Sequence, residues 1–460
     1  LMIMVPLVPR ITLQTVWSNP ATIVVPGDYP TIQAAINAAV TGDTVFVRNG
    51  TYYEHIEINR PLTLVGEDSK TTIIDGNGTG TVALITSSYA SISNFTITNA
   101  GLNLMPSPFD SCVYVVMELS GVDVENNIIS NCGVGICVGD SYGANVNGNT
   151  ISNTTSCGIL VGGPQSRNLT VSNNLISNSD YCGISVNGDT EDCNFINNTI
   201  RDCALGMELM PNRNIQIIPS NNLFDGNVLS NNSIVNLYVI CPQSFLQWNY
   251  KNTFRRNNLT NLEHNNLIVW GWNTSAVFMQ DIDASNTANG KSIYYLTNSR
   301  DLEIDPSNYP DAGYVALVNC ANVTVKDFDF AGNKDGLLLA GTNNCTLANM
   351  SLGNNRLYMT EENVTVLSHW GGLTLFESDN NTIEDCTIRD SSYGVCLYYS
   401  DLNLFLHNIF AGNDRNVASD YYWLNGNYTS GYLSSNFWDD GYSSAGNYWK
   451  DYNGTDSNGD

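Results

Sequence analysis

The sequence predicts an all-β fold, a parallel β-helix whose short strands wind into stacked coils. Three observations carry that expectation. A phrase of two apolar residues five apart recurs at intervals of about 21 to 25 residues, the period of a solenoid. The later apolar position reads Ile97, Ile129, Ile151, Ile176, Ile200, Leu229, Leu259, then Phe330, Leu352, Ile388 and Ile409. The earlier one reads Ile92, Val124, Val146, Val171, Phe195, Phe224, Phe254, Val325, Leu347, Ile383 and Leu404. Second, two positions before the later apolar residue stand Asn127, Asn149, Asn174, Asn198, Asn227 and Asn257. Stacked coils bring these amides into a ladder in which each donates to and accepts from its neighbours. Third, Gly135-Ile136, Gly158-Ile159, Gly183-Ile184, Gly206-Met207, Gly336-Leu337 and Gly394-Val395 each open a strand with inward apolar residues at alternate positions.

Taken in order, residues 1–21 form an apolar tail with Leu1, Ile3, Val5 and Leu7 at alternating positions. Residues 22–60 hold the N-terminal cap and first coils. Within them Ile32, Ala35, Ile36 and Ala39 share one helical face, with Thr31 placed as N-cap and Gly42 near the stop. A helix there lies across the open core as a lid, which a solenoid needs because an unpaired coil templates aggregation. Coils with the Asn ladder occupy 61–260, an irregular insertion 261–320, and further coils 321–412. The last segment, 413–460, gathers Phe437, Trp438, Tyr442, Tyr448, Trp449 and Tyr452. These rings serve either as an aromatic plug or, at Trp438 and Trp449, as platforms on which a sugar stacks.

Composition narrows function. Forty-four acidic residues against eighteen basic ones give a net charge of −26, which excludes a nucleic-acid partner because phosphate binding needs a basic face. Asn makes up roughly 14% of the chain, a composition for turns and stacked amides rather than long helices. No run of eighteen apolar residues exists to span a membrane as a helix. The absence of an initial Met favours a processed, exported chain, and the ending GTDSNGD favours one whose native C-terminus extends further.

Three passages resemble a known family. VPGDYPTIQAAINAAVTGDTVFVRNGTYYEHIEINRPLTLVGED is similar to the opening segment of right-handed parallel β-helix proteins of the pectin-lyase-like superfamily. NGKSIYYLTNSRDLEIDP, with the AGYVALVNCANVTVKDFDF that follows it, and the closing NFWDDGYSSAGNYWKDYNGTD resemble NosD-like surface proteins of methanogenic archaea. The resemblance runs from about residue 22 to the end and implies a right-handed β-helix on the outside of a cell. It leaves function open, because the superfamily holds enzymes, binding modules and structural proteins alike.

A pectinolytic site would cluster carboxylates on one outer strand face. The outward position beside the Gly-Ile column reads Cys137, Leu160, Ser185, Glu208, Leu338 and Cys396, a single carboxylate where acid–base work needs two. No enzyme is therefore expected. Copper, which the NosD resemblance raises, would need grouped donors, yet His55, His264, His369 and His407 fall in different coils. Asp456, Asn458 and Asp460 have the spacing that starts a calcium loop, without its Gly or distal Glu. Apart from that calcium no cofactor is expected. Cys157 and Cys182 share a column in successive coils, so they form either a disulfide, the favoured expectation, or part of a reduced buried ladder.

About sixteen Asn-x-Ser/Thr sequons occur. Asn94, Asn197 and Asn349 lie inside the turn phrase, where a buried amide is expected. Asn77, Asn168, Asn273, Asn322, Asn363 and Asn427 are the better glycan acceptors. The favoured function is a self-assembling extracellular subunit of a cell-surface layer, sheath or filament. It would polymerise through its own copies by way of the apolar tail and the outward Leu160 and Leu338. The alternative is a polysaccharide-binding or polysaccharide-cleaving surface module, with Trp270, Trp272, Trp438 and Trp449 as stacking surfaces.

Overall fold

The first coils follow from a short helix and the acid that caps it. Ile32–Ala38 is helical, Thr31 accepts from the Ala34 N–H at 3.2 Å, and Ile32, Ala35, Ile36 and Ala39 are fully buried. The two free N–H groups of Ile32 and Gln33 are taken by the Glu54 carboxylate at 2.9 and 3.0 Å, so the lid is fastened to the coil beneath it. The computed structural model describes residues 20–103, 110–163, 165–211, 219–241, 251–271, 274–330, 336–355, 371–419, 421–424, 427–430, 434–439 and 446–450.

From here the chain winds a right-handed parallel β-helix. One sheet has eleven strands, from Thr22–Val25 to Asp281–Ile282. A second has sixteen, and a third has nine, from Ile56–Ile58 to Asn265–Gly271. A short fourth sheet joins Leu119–Ser120, Ser141–Tyr142, Ser166–Arg167 and Thr190–Glu191. The registers are those the repeats predict: Val124 pairs with Ile92 and Val146, Ile129 with Ile97 and Ile151, and Ile159 with Ile136 and Ile184. Phe195, Phe224 and Phe254 stack face to face inside, with centroids 4.8 and 4.9 Å apart.

The Asn ladder is present and runs one rung further than expected, to Asn286. After the first rung, each ladder Oδ1 accepts both the backbone N–H and the Nδ2–H of the preceding Asn, as Asn174 does from Asn149 at 3.0 and 3.0 Å. Each Nδ2 also donates back to a carbonyl, as Asn174 does to Val146 at 2.9 Å. A parallel ladder, Asn222–Asn252–Gln280, forms at another corner. The remaining Asn residues have a second use, since most of the non-glycine residues at positive φ are Asn or Asp at the outer corners of coils.

The region 261–320 is a junction rather than an insertion. Thr287–Ala288 pairs antiparallel with Lys291–Thr297 through Asn289-Gly290, whose φ values of 53° and 77° are those of a two-residue hairpin turn. The chain direction in the second sheet reverses there, and a second run of coils begins with its own core. Its strands Ala312–Val318, Leu337–Ala340 and Leu373–Phe376 in that sheet are buried on both faces. Leu337 and Leu339 point into the second core, while Leu338 and Ala340 pack against the first. Trp270 and Phe278 of the first run meet Tyr398 and Phe376 of the second at 5.1 Å in each case. Leu338, expected to face another subunit, is thus covered by the chain itself, and Leu160 is partly buried.

Two further expectations change. In the last coils the inward residues are Phe405 and Phe410, which pair with Ile383 and Ile388, so the columns slip by one from Leu404 and Ile409. Ile409 is 42% exposed and Phe410 fully buried. Cys157 and Cys182 are register partners as expected, but both are free thiols. In-register parallel neighbours hold their Cβ atoms about 4.8 Å apart, beyond the about 3.5–4.5 Å of a disulfide.

Asn174→Ala removes the acceptor of the buried Asn149 backbone N–H and of one Asn149 Nδ2–H bond, and is expected to cost about 1–3 kcal/mol in urea unfolding. A loss below about 0.5 kcal/mol would show the ladder to be dispensable. Alkylation of the unfolded protein without reductant is expected to label Cys157 and Cys182 fully. A linked 157–182 peptide would overturn the free-thiol assignment.

Candidate functional site

The short fourth sheet carries one polar column, and a second stands just ahead of its strands. Its pairings place Ser120, Tyr142, Arg167, Glu191 and Ser220 in one column. Two residues earlier in each of four of these coils stand Glu118, Asp140, Gln165 and Asp189, one coil apart, about 4.8 Å. Between the columns lies a concave groove of about 460 Å³, lined by Glu118, Leu119, Ser120, Asp140, Ser141, Tyr142, Gln165 and Arg167. Tyr142 is 58% and Tyr89 is 70% exposed at its border. Tyr89 lies with its ring over Gly121, where an added Cβ would come within 2.7 Å of the ring and where φ is +59°, so only glycine fits there.

Charges in the groove are unevenly satisfied. Arg167 forms ion pairs with Asp189 at 2.7 Å and Glu191 at 3.2 Å, and Glu191 also accepts from Ser220 Oγ at 2.8 Å. Asp140 is only 9% exposed and accepts the Gln165 N–H at 2.9 Å. Burial pushes its carboxyl above the ordinary value, the Gln165 N–H opposes this, and the charges of Glu118 and Asp189 push it further up. Among the described residues no cation pairs with Glu118 or Asp140. The sequence reading missed this site because it measured outward positions from the Gly-Ile column, where the offset varies with loop length. Counted from the first-sheet column Val124, Val146, Val171 and Phe195, the acidic column always falls six residues earlier.

The residues singled out from sequence lie elsewhere. Glu208 is 1% exposed on the third sheet, accepting from Tyr181 Oη at 2.8 Å and Ser185 Oγ at 2.6 Å. Trp438 stacks on Phe405 at 4.3 Å and Trp449 on Phe410 at 4.2 Å, so among the described residues one face of each ring continues an apolar column. Trp270 is 4% exposed and occupied between the runs. Asn77, Asn168 and Asn322 are exposed corner residues. So are Asn197 and Asn349, against the burial expected of them, and Asn94 is half-buried. Asn427 lies in the strand Asn427–Ser430. Leu1, Ile3, Val5, Leu7, Trp272, Asn273, Asn363, His369, Asp456, Asn458 and Asp460 fall outside the described residues.

Fold and groove together define a right-handed parallel β-helix that carries an open, acidic, aromatic-flanked groove on its side. The family model described as "Periplasmic copper-binding protein (NosD)" matches residues 36–265 and 249–454, and the chain belongs to that family. No curated protein matches it. Among solved structures it is similar to the Azotobacter vinelandii mannuronan C-5 epimerase AlgE6 A-module, at 15% identity over 91% of this chain and 94% of that one, with a TM-score of 0.35. It is also similar to the catalytic domain of a GH87 α-1,3-glucanase in complex with nigerose, at 14% identity over 87% and 66%, with a TM-score of 0.44. Likenesses at this level carry no inference about what the chain binds.

The copper in the family's description does not fit the described residues. No three His, Cys, Asp or Glu side chains converge among them. His55 is engaged by Thr81 O at 2.8 Å and Thr79 Oγ1 at 3.3 Å. The thiols are interior, and burial pushes Cys137 and Cys386 up to about 12, away from the thiolate a metal would need.

Because Asp140's folded value lies above 3.8, its protonated form favours the fold. Its stabilising contribution is complete below that pH and lost as pH rises through the raised value. Asp140→Asn is therefore expected to raise the thermal midpoint at neutral pH, with the gain fading as pH approaches 3.8. A lowered midpoint at neutral pH would contradict it.

Proposed function

We propose that this protein is an extracytoplasmic polysaccharide-binding β-helix module whose ligand lies along the groove over the fourth sheet. The observation that carries the reading is the pair of exposed rings, Tyr89 and Tyr142, beside two stacked columns of carboxylate, hydroxyl, amide and guanidinium groups. A sugar presents an apolar ring face and a rim of hydroxyls, which an aromatic face and planar polar groups complement. Coils repeating at about 4.8 Å offer such groups to successive sugars along a chain. The placement outside the cytoplasm is supported by the family's description as periplasmic.

Self-assembly into a surface layer loses one of its motives, since Leu338 is covered within the chain. Binding rather than cleavage is the part of the reading the groove supports best, because Arg167 already holds Asp189 and Glu191 in ion pairs. Binding to immobilised glycans is expected to weaken about tenfold in Tyr142→Ala, or about 1.4 kcal/mol, and further when Tyr89→Ala is added. Unchanged binding in the double variant, or no binding to any glycan by the parent protein, would overturn the reading.

A further inference from the structure

One outer corner of the second run carries the same motif in three successive coils. We propose that this column is a site of N-linked glycosylation, with the side-chain amides of Asn344 and Asn380 accepting oligosaccharide from a lipid diphosphate-linked donor. Such a site requires an extracytoplasmic protein and stands apart from the groove.

The strands Ala321–Lys326, Thr346–Ala348 and Thr382–Glu384 lie side by side in a five-stranded sheet, where Thr324 pairs with Thr346 and Thr346 with Thr382. Two residues before each Thr stands an exposed Asn at positive φ: Asn322 at 55°, Asn344 at 56° and Asn380 at 56°. Asn322-Val-Thr324, Asn344-Cys-Thr346 and Asn380-Asn-Thr382 are thus acceptor sequons stacked about 4.8 Å apart. The middle residues Val323, Cys345 and Asn381 are buried, which leaves the Asn and the Thr as the outward members of each triplet.

The fold itself asks for neither residue. In the coil before the column the same two positions hold Asp301 and Glu303, and in the coil after it they hold Leu402 and Leu404. Asp301 and Leu402 take φ values of 53° and 58°, so the turn accepts other side chains. The second outer corner of these coils makes the contrast. Asp327, Asn349, Asp385 and His407 succeed one another there at positive φ, and of these only Asn349 opens a sequon.

The amides also differ in availability. Asn322 Nδ2 donates to Asp301, and Asn349 Nδ2 donates to Asp327 at 2.8 Å. The backbone N–H groups of Asn344 and Asn380 go to Asp379 O and Asp401 O at 3.2 and 3.1 Å, and among the described residues nothing holds either side-chain amide. In the transfer, Nδ2 bonds to the anomeric carbon of the sugar as the bond from that carbon to the diphosphate oxygen breaks. The proton lost from nitrogen goes to the departing diphosphate.

The test is mass-spectrometric peptide mapping of the whole protein isolated from its native cells. Oligosaccharide is expected on the peptides that contain Asn344 and Asn380, with Asn322 and Asn349 at least tenfold less occupied. Thr346→Ala and Thr382→Ala, produced in the same cells, are each expected to abolish modification at their own sequon alone. Asn344→Asp, which places there the residue type that Asp301 uses at the same corner, is expected to remove the glycan with the thermal midpoint unchanged. Unmodified mass for both peptides in the native protein would overturn the inference and leave the groove reading intact. A mass increment that survives Asn344→Asp but is lost in Thr346→Ala would also overturn it, by placing the sugar on the hydroxyl. Equal occupancy at Asn322 and Asn349 would overturn the choice of acceptors by free amide.

Discussion

Everything in the first run of coils depends on the amide ladder from Asn127 to Asn286. A β-helix must turn sharply several times per coil, and each turn leaves backbone N–H groups inside that no strand can pair. Each ladder Asn resolves this for its neighbour, because its Oδ1 takes two donors while its Nδ2 reaches the next amide and a carbonyl in an adjacent coil. A one-residue slip in the Asn174 coil would break five such bonds and also turn its apolar residues outward. The ladder therefore sets register as well as stability, and the side-by-side columns of the fourth sheet inherit their alignment from it.

The second run solves a different problem. A solenoid whose coils simply end exposes its last rung, and the N-terminal end is closed by a seven-residue helix fastened to Glu54. The other end of the first run is closed by the protein's own continuation. The Asn289-Gly290 hairpin reverses the chain, and the continuing second sheet presents Tyr295, Leu338, Phe376 and Tyr398 to the first core. Tyr295 Oη donates to Phe278 O at 2.6 Å, and the Ser275 N–H donates to Glu377 at 2.6 Å, so the seal is polar at its margin and aromatic at its centre. A sheet apolar on both faces reads in sequence like two outward-facing hydrophobic positions. That is why Leu338 looks like an intersubunit contact until the hairpin is seen.

Much of this was legible because stacking makes sequence columns into spatial ones. The helix, its Thr31 cap, the six-membered amide ladder and three strand registers follow from spacing alone. What spacing does not give is the partner across the coil. Leu404 and Ile409 satisfy the five-residue interval as well as Phe405 and Phe410 do, and only the Trp438 and Trp449 rings that stack on the phenylalanines decide between them. Cys157 and Cys182 share a column, yet being neighbours in register keeps their side chains parallel rather than convergent. The Asn-Gly at 289–290 was a hairpin signal in plain view, obscured because a solenoid pattern leads one to expect only parallel neighbours.

The position of the groove follows from the same geometry that hid it. Four successive coils bulge between the third and first sheets by different lengths, so residues counted from the Gly-Ile column fall out of phase while those counted back from Val124, Val146, Val171 and Phe195 stay in phase. The chain re-enters the first sheet at a fixed corner, and variation in loop length is absorbed before that corner, not after it. Side chains just ahead of the corner are thus held in exact stacks on rigid strands, while the loop before them is free to change. That combination, a fixed polar array that includes Tyr142 beside a loop free to vary, is what a solenoid needs in order to recognise a repeating polymer with its side rather than its ends.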